Sequence, residues 1–294
     1  MALQSIVAMP YKCTLLCCLS MITLLCGSCL RKYVYVLTPA QVQERYKQAT
    51  KPPTMRYIST DYGKLYTVSQ GDTTKPLLVL IHGAPGRWYS SINLLDDTTL
   101  QAHYHIVTYD RLGFGNSAPY SVTNLDVQVN ALHQLTQALN YTNQPVTIVG
   151  RSYGTPIAAR YAMRYNNEVN KLFLLAPCLD PYKEKYFWFS FANKSSMVNS
   201  FMPKDINNTT DEKFTHAKQL KKIQQDWQRI TVPTYIIQGR KDWIADTANA
   251  YFAQKKLVNA PTTLLLLDNT GHNVTKQHRT LMVQLLTQHN IVLK

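Results

Sequence analysis

Gly150-Arg151-Ser152-Tyr153-Gly154 constrains the fold of this chain more than any other segment. It follows Pro145-Val146-Thr147-Ile148-Val149, a run suited to a buried strand, and precedes Ile157-Ala158-Ala159-Arg160-Tyr161-Ala162-Met163, which reads as a helix. A strand that turns straight into a helix holds the residue at its tip in a strained backbone conformation. The residues two positions away must be small so that strand and helix can approach. The serine hydroxyl is thereby pushed clear of a sheet, beside a helix N-terminus that favours developing negative charge. This is the arrangement of a nucleophile elbow, although a glycine-rich turn without chemistry has the same local pattern.

The rest of the body supplies a sheet for that turn. Residues 56–60 and 65–69 flank Asp61-Tyr62-Gly63-Lys64 as a hairpin. The uninterrupted apolar run 77–81 suits a central parallel strand, and further strands are expected at 104–109, 146–149, 171–175, 234–237 and 263–267. Between Asp126 and Asn140, Val129, Leu132, Leu135 and Leu139 share one helical face. Helices are also expected at 247–258 and 277–289. This alternation predicts an α/β fold with a mainly parallel central sheet covered by helices on both faces. Residues 181–230 break the rhythm. They contain Tyr186-Phe187-Trp188-Phe189-Ser190-Phe191, a polar stretch, and an amphipathic helix expected around 214–227. We expect a helical cap insertion there, its aromatics forming either an exposed lid face or the insertion's own small core. The expected organisation is a leader (1–28), a tether (29–54), a first core part (55–180), the cap (181–230) and a second core part (231–294). Within the tether, Thr38-Pro39-Ala40-Gln41 is a good helix start, with an end expected near Ala49.

Five of the six cysteines lie in the first 29 residues, and Cys178 alone lies in the body. A lone cysteine cannot staple a fold, so Cys178 is expected to be a small buried hydrophobe. Lys12 is the only charge in the leader. An apolar stretch follows it, then Gly27-Ser28-Cys29. This leader resembles a bacterial lipoprotein signal, which implies lipidation at Cys29, anchoring by acyl chains, and a cell-envelope location on the outer membrane facing the periplasm. An uncleaved N-terminal membrane anchor is the alternative. The net charge is +14, and removal of the leader takes away only Lys12, leaving +13. The basic residues are scattered and form no nucleic-acid motif, so an anionic lipid surface or plain solvation accounts for them, and no nucleic-acid partner is expected.

The motifs after the strands belong together. In chain order they are His82-Gly83-Ala84-Pro85-Gly86, Asp110 to Ser117, the Ser152 turn, Gln238-Gly239-Arg240-Lys241-Asp242 and Gly271-His272-Asn273. With these five in order, the chain from Met55 onward resembles the α/β-hydrolase superfamily, which implies that fold and a triad in the order Ser, Asp, His. Serine is a poor nucleophile without a base, and His272 is the candidate base. The base needs a carboxylate to fix its tautomer. Asp242 occupies the family position; Asp246, better placed as a helix cap, and Asp180 are the other candidates. The resemblance implies an oxyanion hole from the backbone N–H groups of Tyr153 and Ala84, with His82 and the loop 110–117 structural.

No cofactor or metal is implied. Serine at the elbow separates the chain from the epoxide-hydrolase and haloalkane-dehalogenase branches, which use aspartate there. Arg151 and Tyr153 depart from the Gly-Gly-Ser-Trp-Gly elbow of proline iminopeptidases. The expected activity is hydrolysis of a carboxylic ester or related acyl bond in a small-molecule substrate. The alternatives are an iminopeptidase-like aminopeptidase and a non-catalytic envelope lipoprotein. Formal glycosylation sequons begin at Asn140, Asn193, Asn208 and Asn273.

Overall fold

A computed structural model describes residues 36–288 of the chain. The leader, Cys29 and its expected lipidation lie outside the described residues. The chain divides into two units, residues 1–44 and 45–294. Helix α1 (Pro39–Tyr46) begins in the first and ends in the second. Its start carries the expected reciprocal cap. Gln41 N donates to Thr38 Oγ1 at 3.2 Å, and Thr38 N donates to Gln41 Oε1 at 2.9 Å.

Eight strands form one sheet in the larger unit: β1 (Thr54–Thr60), β2 (Gly63–Gly71), β3 (Leu77–Ile81), β4 (His105–Tyr109), β5 (Val146–Arg151), β6 (Val169–Leu175), β7 (Thr234–Gly239) and β8 (Thr262–Leu267). Their order across the sheet is β1-β2-β4-β3-β5-β6-β7-β8. β2 pairs antiparallel with β1 and β4, and the remaining pairings are parallel. The remaining helices are α2 (Ile92–Leu95), α3 (Thr98–His103), α4 (Leu125–Leu139), α5 (Gly154–Arg164), α6 (Trp188–Ala192), α7 (Ser196–Asn199), α8 (Lys204–Lys222), α9 (Ala248–Lys256), α10 (Val274–Gln277) and α11 (Arg279–Thr287).

The central strand β3 shows why both faces need covering. Leu77, Val79 and Ile81 pack into a core with Val129 and Leu132 of α4 and Ile157 and Tyr161 of α5. Leu78 and Leu80 are equally buried, and strand alternation turns them to the opposite face. There α2, α3 and α11 pack together, and Tyr104 Oη donates to the Leu286 carbonyl at 2.6 Å. A strand apolar at every position is stable only in such a doubly covered sheet.

Topology places the site. From β3 the chain crosses to β4 on one side, and from β5 it crosses to β6 on the other. The carboxyl ends of β3 and β5 therefore border a crevice where the strand order reverses, the usual place for a site in an open α/β sheet. Ser152 stands there with φ +52°, the left-handed region that a side-chain-bearing residue enters only under constraint. Its N–H donates to the Leu175 carbonyl at 2.9 Å, and its carbonyl accepts from Thr155 N at 2.8 Å and Thr155 Oγ1 at 2.7 Å. A Cβ on Gly150 would lie 2.5 Å from the Gly154 carbonyl oxygen, and one on Gly154 would lie 2.5 Å from that of Ile81. Both positions must therefore be glycine for the turn to close.

The segment between β6 and β7 is helical, but its long helix is displaced from the expected 214–227. Helix α8 starts at Lys204 and ends at Lys222. Its first half is polar because polar contacts hold it. Arg87 Nε donates to Asp205 Oδ2 at 2.7 Å, and Asn208 Nδ2 donates to the Gly113 carbonyl. Glu212 accepts from Arg111 Nη1 at 2.5 Å and Nη2 at 3.0 Å. An apolar repeat is the signal a sequence offers for a helix face, and these residues have none. The tether helix likewise ends at Tyr46, short of Ala49.

The Arg111–Glu212 pair is almost wholly inaccessible, with side chains 0% and 1% exposed. Burial pushes the Arg111 guanidinium down, but the Glu212 carboxylate outweighs it and keeps the cation charged. Removing one partner of such a pair strands a charge in the interior. Glu212→Leu is therefore expected to destabilise the fold by about 3–5 kcal/mol, whereas the double variant R111M/E212L recovers much of that loss. Urea unfolding of the three proteins measures the difference, and an E212L midpoint equal to wild type would show that the pair does not fasten α8.

Candidate active site

The loops at the carboxyl ends of β7 and β8 hold the two other triad candidates. His272 Nδ1 lies 2.8 Å from Asp242 Oδ2. A carboxylate only accepts, so the proton sits on Nδ1 and Nε2 keeps its lone pair free. The Asp242 side chain is fully buried. Its Oδ2 also accepts from Gln238 Nε2 at 3.0 Å, and its Oδ1 accepts from the N–H groups of Ile244 and Ala245, both at 2.9 Å. Burial pushes this carboxyl up, but the hydrogen bond and charge of His272, with the Ala245 and Gln238 donors, outweigh it and hold the pKa below the ordinary aspartate value. The carboxylate is thus ionised throughout the neutral range.

The competing carboxylates have other work. Asp246 Oδ1 accepts from Ala248 N at 3.0 Å at the start of α9, and Asp180 Oδ1 accepts from Tyr182 N at 2.9 Å in a turn.

Backbone contacts join the acid and base loops. Arg240 N donates to the Leu267 carbonyl at 3.0 Å, and Lys241 N to that of Thr270 at 2.9 Å. Gly239 lets the loops come this close, since a Cβ there would lie 2.3 Å from the Thr270 carbonyl oxygen. Across the crevice, Arg151 Nη1 donates to Asn273 Oδ1 at 3.0 Å. The residue before Ser152 is thereby tied to the residue after His272. The structure thus gathers all three residues into one loop cluster. One leg differs from expectation: among the described residues, Ser152 Oγ forms no hydrogen bond with His272. Oγ instead lies 3.9 Å from Cys178 Sγ. Triad hydrogen bonds are often long without substrate.

Cys178 also departs from a fully buried hydrophobe. It is partly exposed and borders the serine, and burial pushes its thiol up to about 12, so it stays protonated.

The oxyanion candidates lie beside the serine. A Cβ on Gly83 would be 2.9 Å from Ser152 Cβ and 3.3 Å from Oγ, so the loop containing Ala84 abuts the hydroxyl. Among the described residues, neither Ala84 N–H nor Tyr153 N–H donates to a protein acceptor. Unpaired backbone donors at an elbow are available for developing negative charge.

His82 holds the loop. Its Nδ1 donates to the Gly83 carbonyl at 2.6 Å, and Nε2 accepts from Arg111 N at 2.9 Å. Complete burial, with Arg111 nearby, pushes its pKa well down and keeps it neutral. Asp110 is likewise structural, accepting from Trp88 N at 2.7 Å and Asn116 N at 2.8 Å, while burial raises its carboxyl to about 6.

Several site neighbours carry no sequence signal of their own. Gln238, buried in β7, steadies Asp242. On the helical segment, His216 Nδ1 bonds Glu184 Oε2 at 2.5 Å, and Lys213 pairs with the same carboxylate. The His216 ring packs on that of Tyr153 with centroids 4.7 Å apart, and its Nε2 is buried with no partner among the described residues. These residues are far apart in the chain, and only folding reveals them as one cluster.

Two sequon asparagines are also structural. Asn193 Nδ2 donates to Thr210 Oγ1 at 2.8 Å and Asn208 Nδ2 to the Gly113 carbonyl, both from buried side chains that leave no room for a glycan. A cleft of about 600 Å³ lined by Arg45, Tyr46, Lys51, Gln70, Asp96 and Gln101 contains none of the triad candidates. Arg45 and Asp96 in it already satisfy each other.

Comparison with known proteins agrees with this fold. A family model described as the alpha/beta hydrolase fold matches residues 76–220. Monoacylglycerol lipase ABHD6 of Homo sapiens is 24% identical over 278 residues, covering 79% of this chain and 80% of its own. Proline iminopeptidase PfmaB of Pestalotiopsis fici is 22% identical over 263 residues, covering 74% of this chain and 93% of its own. The crystal structure of a bacterial membrane phospholipase A superposes with a TM-score of 0.65 at 17% identity, covering 94% of this chain and 96% of that one. The chain has the α/β-hydrolase fold.

A small displacement of the base loop suffices to test this positioning. Gly239→Ala, which forces the Thr270 carbonyl away, is expected to lower kcat/KM by about 10²-fold on any ester the enzyme turns over. Gly271→Ala, where a Cβ meets nothing within 4 Å, is expected to change it little. Equal rates for the two variants would show that the Gly239 contact does not place His272.

Proposed function

We propose that this hydrolase of the alpha/beta fold cleaves a carboxylic ester of an apolar acyl group through an acyl-enzyme intermediate. The observation that carries the reading is the His272–Asp242 hydrogen bond of 2.8 Å, formed on a loop that Asn273 ties to the strained Ser152 elbow. With Oγ turned to His272 Nε2, the serine attacks the substrate carbonyl carbon as its proton passes to Nε2. Asp242, ionised and fully bonded, stabilises the resulting imidazolium. The oxyanion rests on the N–H groups of Ala84 and Tyr153, where each donor is worth about 2.7–4 kcal/mol to such a transition state. Collapse expels the alcohol, which takes the proton from His272. Water then repeats the sequence to release the acid and restore Ser152. The likeness to a monoacylglycerol lipase and to the fold of a membrane phospholipase A supports an ester with an acyl chain.

The likeness to a proline iminopeptidase keeps a second reading, cleavage of an N-terminal residue. Faster turnover of proline p-nitroanilide than of any p-nitrophenyl ester would select it. The envelope location and the lipid on Cys29 belong to the same proposal, supported by the run Gly27-Ser28-Cys29 after an apolar leader. Incorporation of labelled palmitate into wild type but not into Cys29→Ser tests it.

A fluorophosphonate probe is expected to label wild type and not Ser152→Ala. Absence of labelling in both at neutral pH points instead to a binding protein that keeps the fold. Because Asp242 is held below the ordinary aspartate value, it does not titrate near neutrality. Asp242 is therefore expected to stay ionised from pH 5 to 8 and to set no limb of kcat/KM in that range. Asp242→Asn is expected to lower kcat by roughly 10⁴-fold at neutral pH. Continuous assays on p-nitrophenyl esters from pH 5 to 8 read both effects, and a kcat for Asp242→Asn equal to wild type would remove Asp242 as the carboxylate that steadies the base.

A further inference from the structure

The aromatic run that begins the segment between β6 and β7 does not form a core of its own. Trp188 is 76% exposed and Phe201 is 72% exposed, with Phe191 and Tyr186 also outward. Several rings of the run nonetheless cluster. Tyr186 and Phe191 both pack on Phe214, with centroids 5.4 and 5.2 Å apart, and Phe187 meets Trp243 edge-on at 5.6 Å. Trp243 is 60% exposed and follows Asp242 directly, so the patch borders the acid loop of the site. Exposed large aromatics gathered in this way mark a surface that something covers.

Charge identifies what covers it. From Tyr182 to Lys204 the cations are Lys183, Lys185, Lys194 and Lys204, and the one acid is Glu184. Glu184 is turned inward, paired with His216 and Lys213. Lys194 Nζ lies 4.4 Å from the Phe214 centroid, and Lys185 reaches Asp246 at 3.6 Å beside Trp243. With Glu184 turned inward and Asp246 met by Lys185, the outward charge from Tyr182 to Lys204 is positive, on a chain of net charge +14. Amphipathic rings interleaved with long cationic side chains suit the interface of a bilayer, where the rings sit at headgroup depth and the ammonium groups meet anionic lipid.

We propose that this face, from Tyr182 to Lys204 together with Trp243, docks the protein on an anionic lipid surface with the acid loop at its edge. The proposal stands apart from the acyl-hydrolase reading and from any lipid on Cys29, because its test reads the patch itself. The chain has four tryptophans, at 88, 188, 227 and 243. Trp188 and Trp243 are exposed, Trp88 and Trp227 are 3% and 2% exposed, and none lies in the leader. The full chain, carrying Ser152→Ala to prevent turnover, is mixed with vesicles of phosphatidylcholine and phosphatidylglycerol whose acyl chains are brominated. Tryptophan emission is expected to be quenched, and the quenching to vanish in W188F/W243F, whose remaining tryptophans are shielded. F191S/F201S is expected to weaken binding about 10-fold or more, with an unchanged unfolding midpoint showing that the fold survives. Added salt and pure phosphatidylcholine are expected to weaken it too. Co-sedimentation with vesicles without quenching would overturn the proposal, since another segment then holds the chain. Equal quenching on neutral and anionic vesicles would overturn the charge requirement. A concentration-dependent blue shift of the emission without lipid, lost in W188F/W243F, would assign the face to a second copy of the chain instead.

Discussion

The Arg111 guanidinium joins the parts on which the site depends. It is buried completely, and its donors reach Glu212 on α8 and the carbonyls of His82 and Gly83, the latter two at 3.1 Å each. Its carbon also lies 5.1 Å from the centre of the Tyr153 ring. One side chain thus connects the loop after β3, the residue after the nucleophile candidate and the long helix above them. A buried cation demands that every donor be met, so these elements cannot drift independently. The neutral His82 imidazole completes the arrangement by bonding the Arg111 N–H from the other side.

A second group of contacts sets the base. Gln238, Ile244 and Ala245 fill the acceptor sites of Asp242 that His272 does not use, and Gly239 allows the neighbouring loop within reach. The carboxylate is therefore fixed before any substrate arrives, and it fixes the imidazole in turn. The serine side is more open. Its backbone is constrained at φ +52°, but its hydroxyl faces Cys178. The strain of the elbow is thus stored in its backbone.

Much of this was legible in the residue order. The strands were readable because a doubly covered sheet demands apolar runs, and the Ser152 turn because close packing demands glycine at 150 and 154. The family resemblance favoured Asp242 over Asp180 and Asp246, although each follows a strand or precedes a helix, and hydrogen bonding separates the three. Helix α8 escaped because Asp205, Asn208 and Glu212 bury polar groups against partners some 95 to 118 residues away in the chain. Cys178 was read as inert packing, and nothing in its neighbours along the chain signals that it faces Ser152.

The sequence by itself determined the fold class, the position of the elbow and the residue types that could carry acyl chemistry. These follow from local demands: backbone strain, strand burial and the side chains that can move a proton. Tertiary structure alone decided that Arg111 and Glu212 pin the helical segment, that Cys178 faces Ser152, and that the aromatic run faces outward rather than inward. Those outcomes depend on which distant groups meet once the sheet closes, and pairing over such separations leaves no periodic trace along the chain.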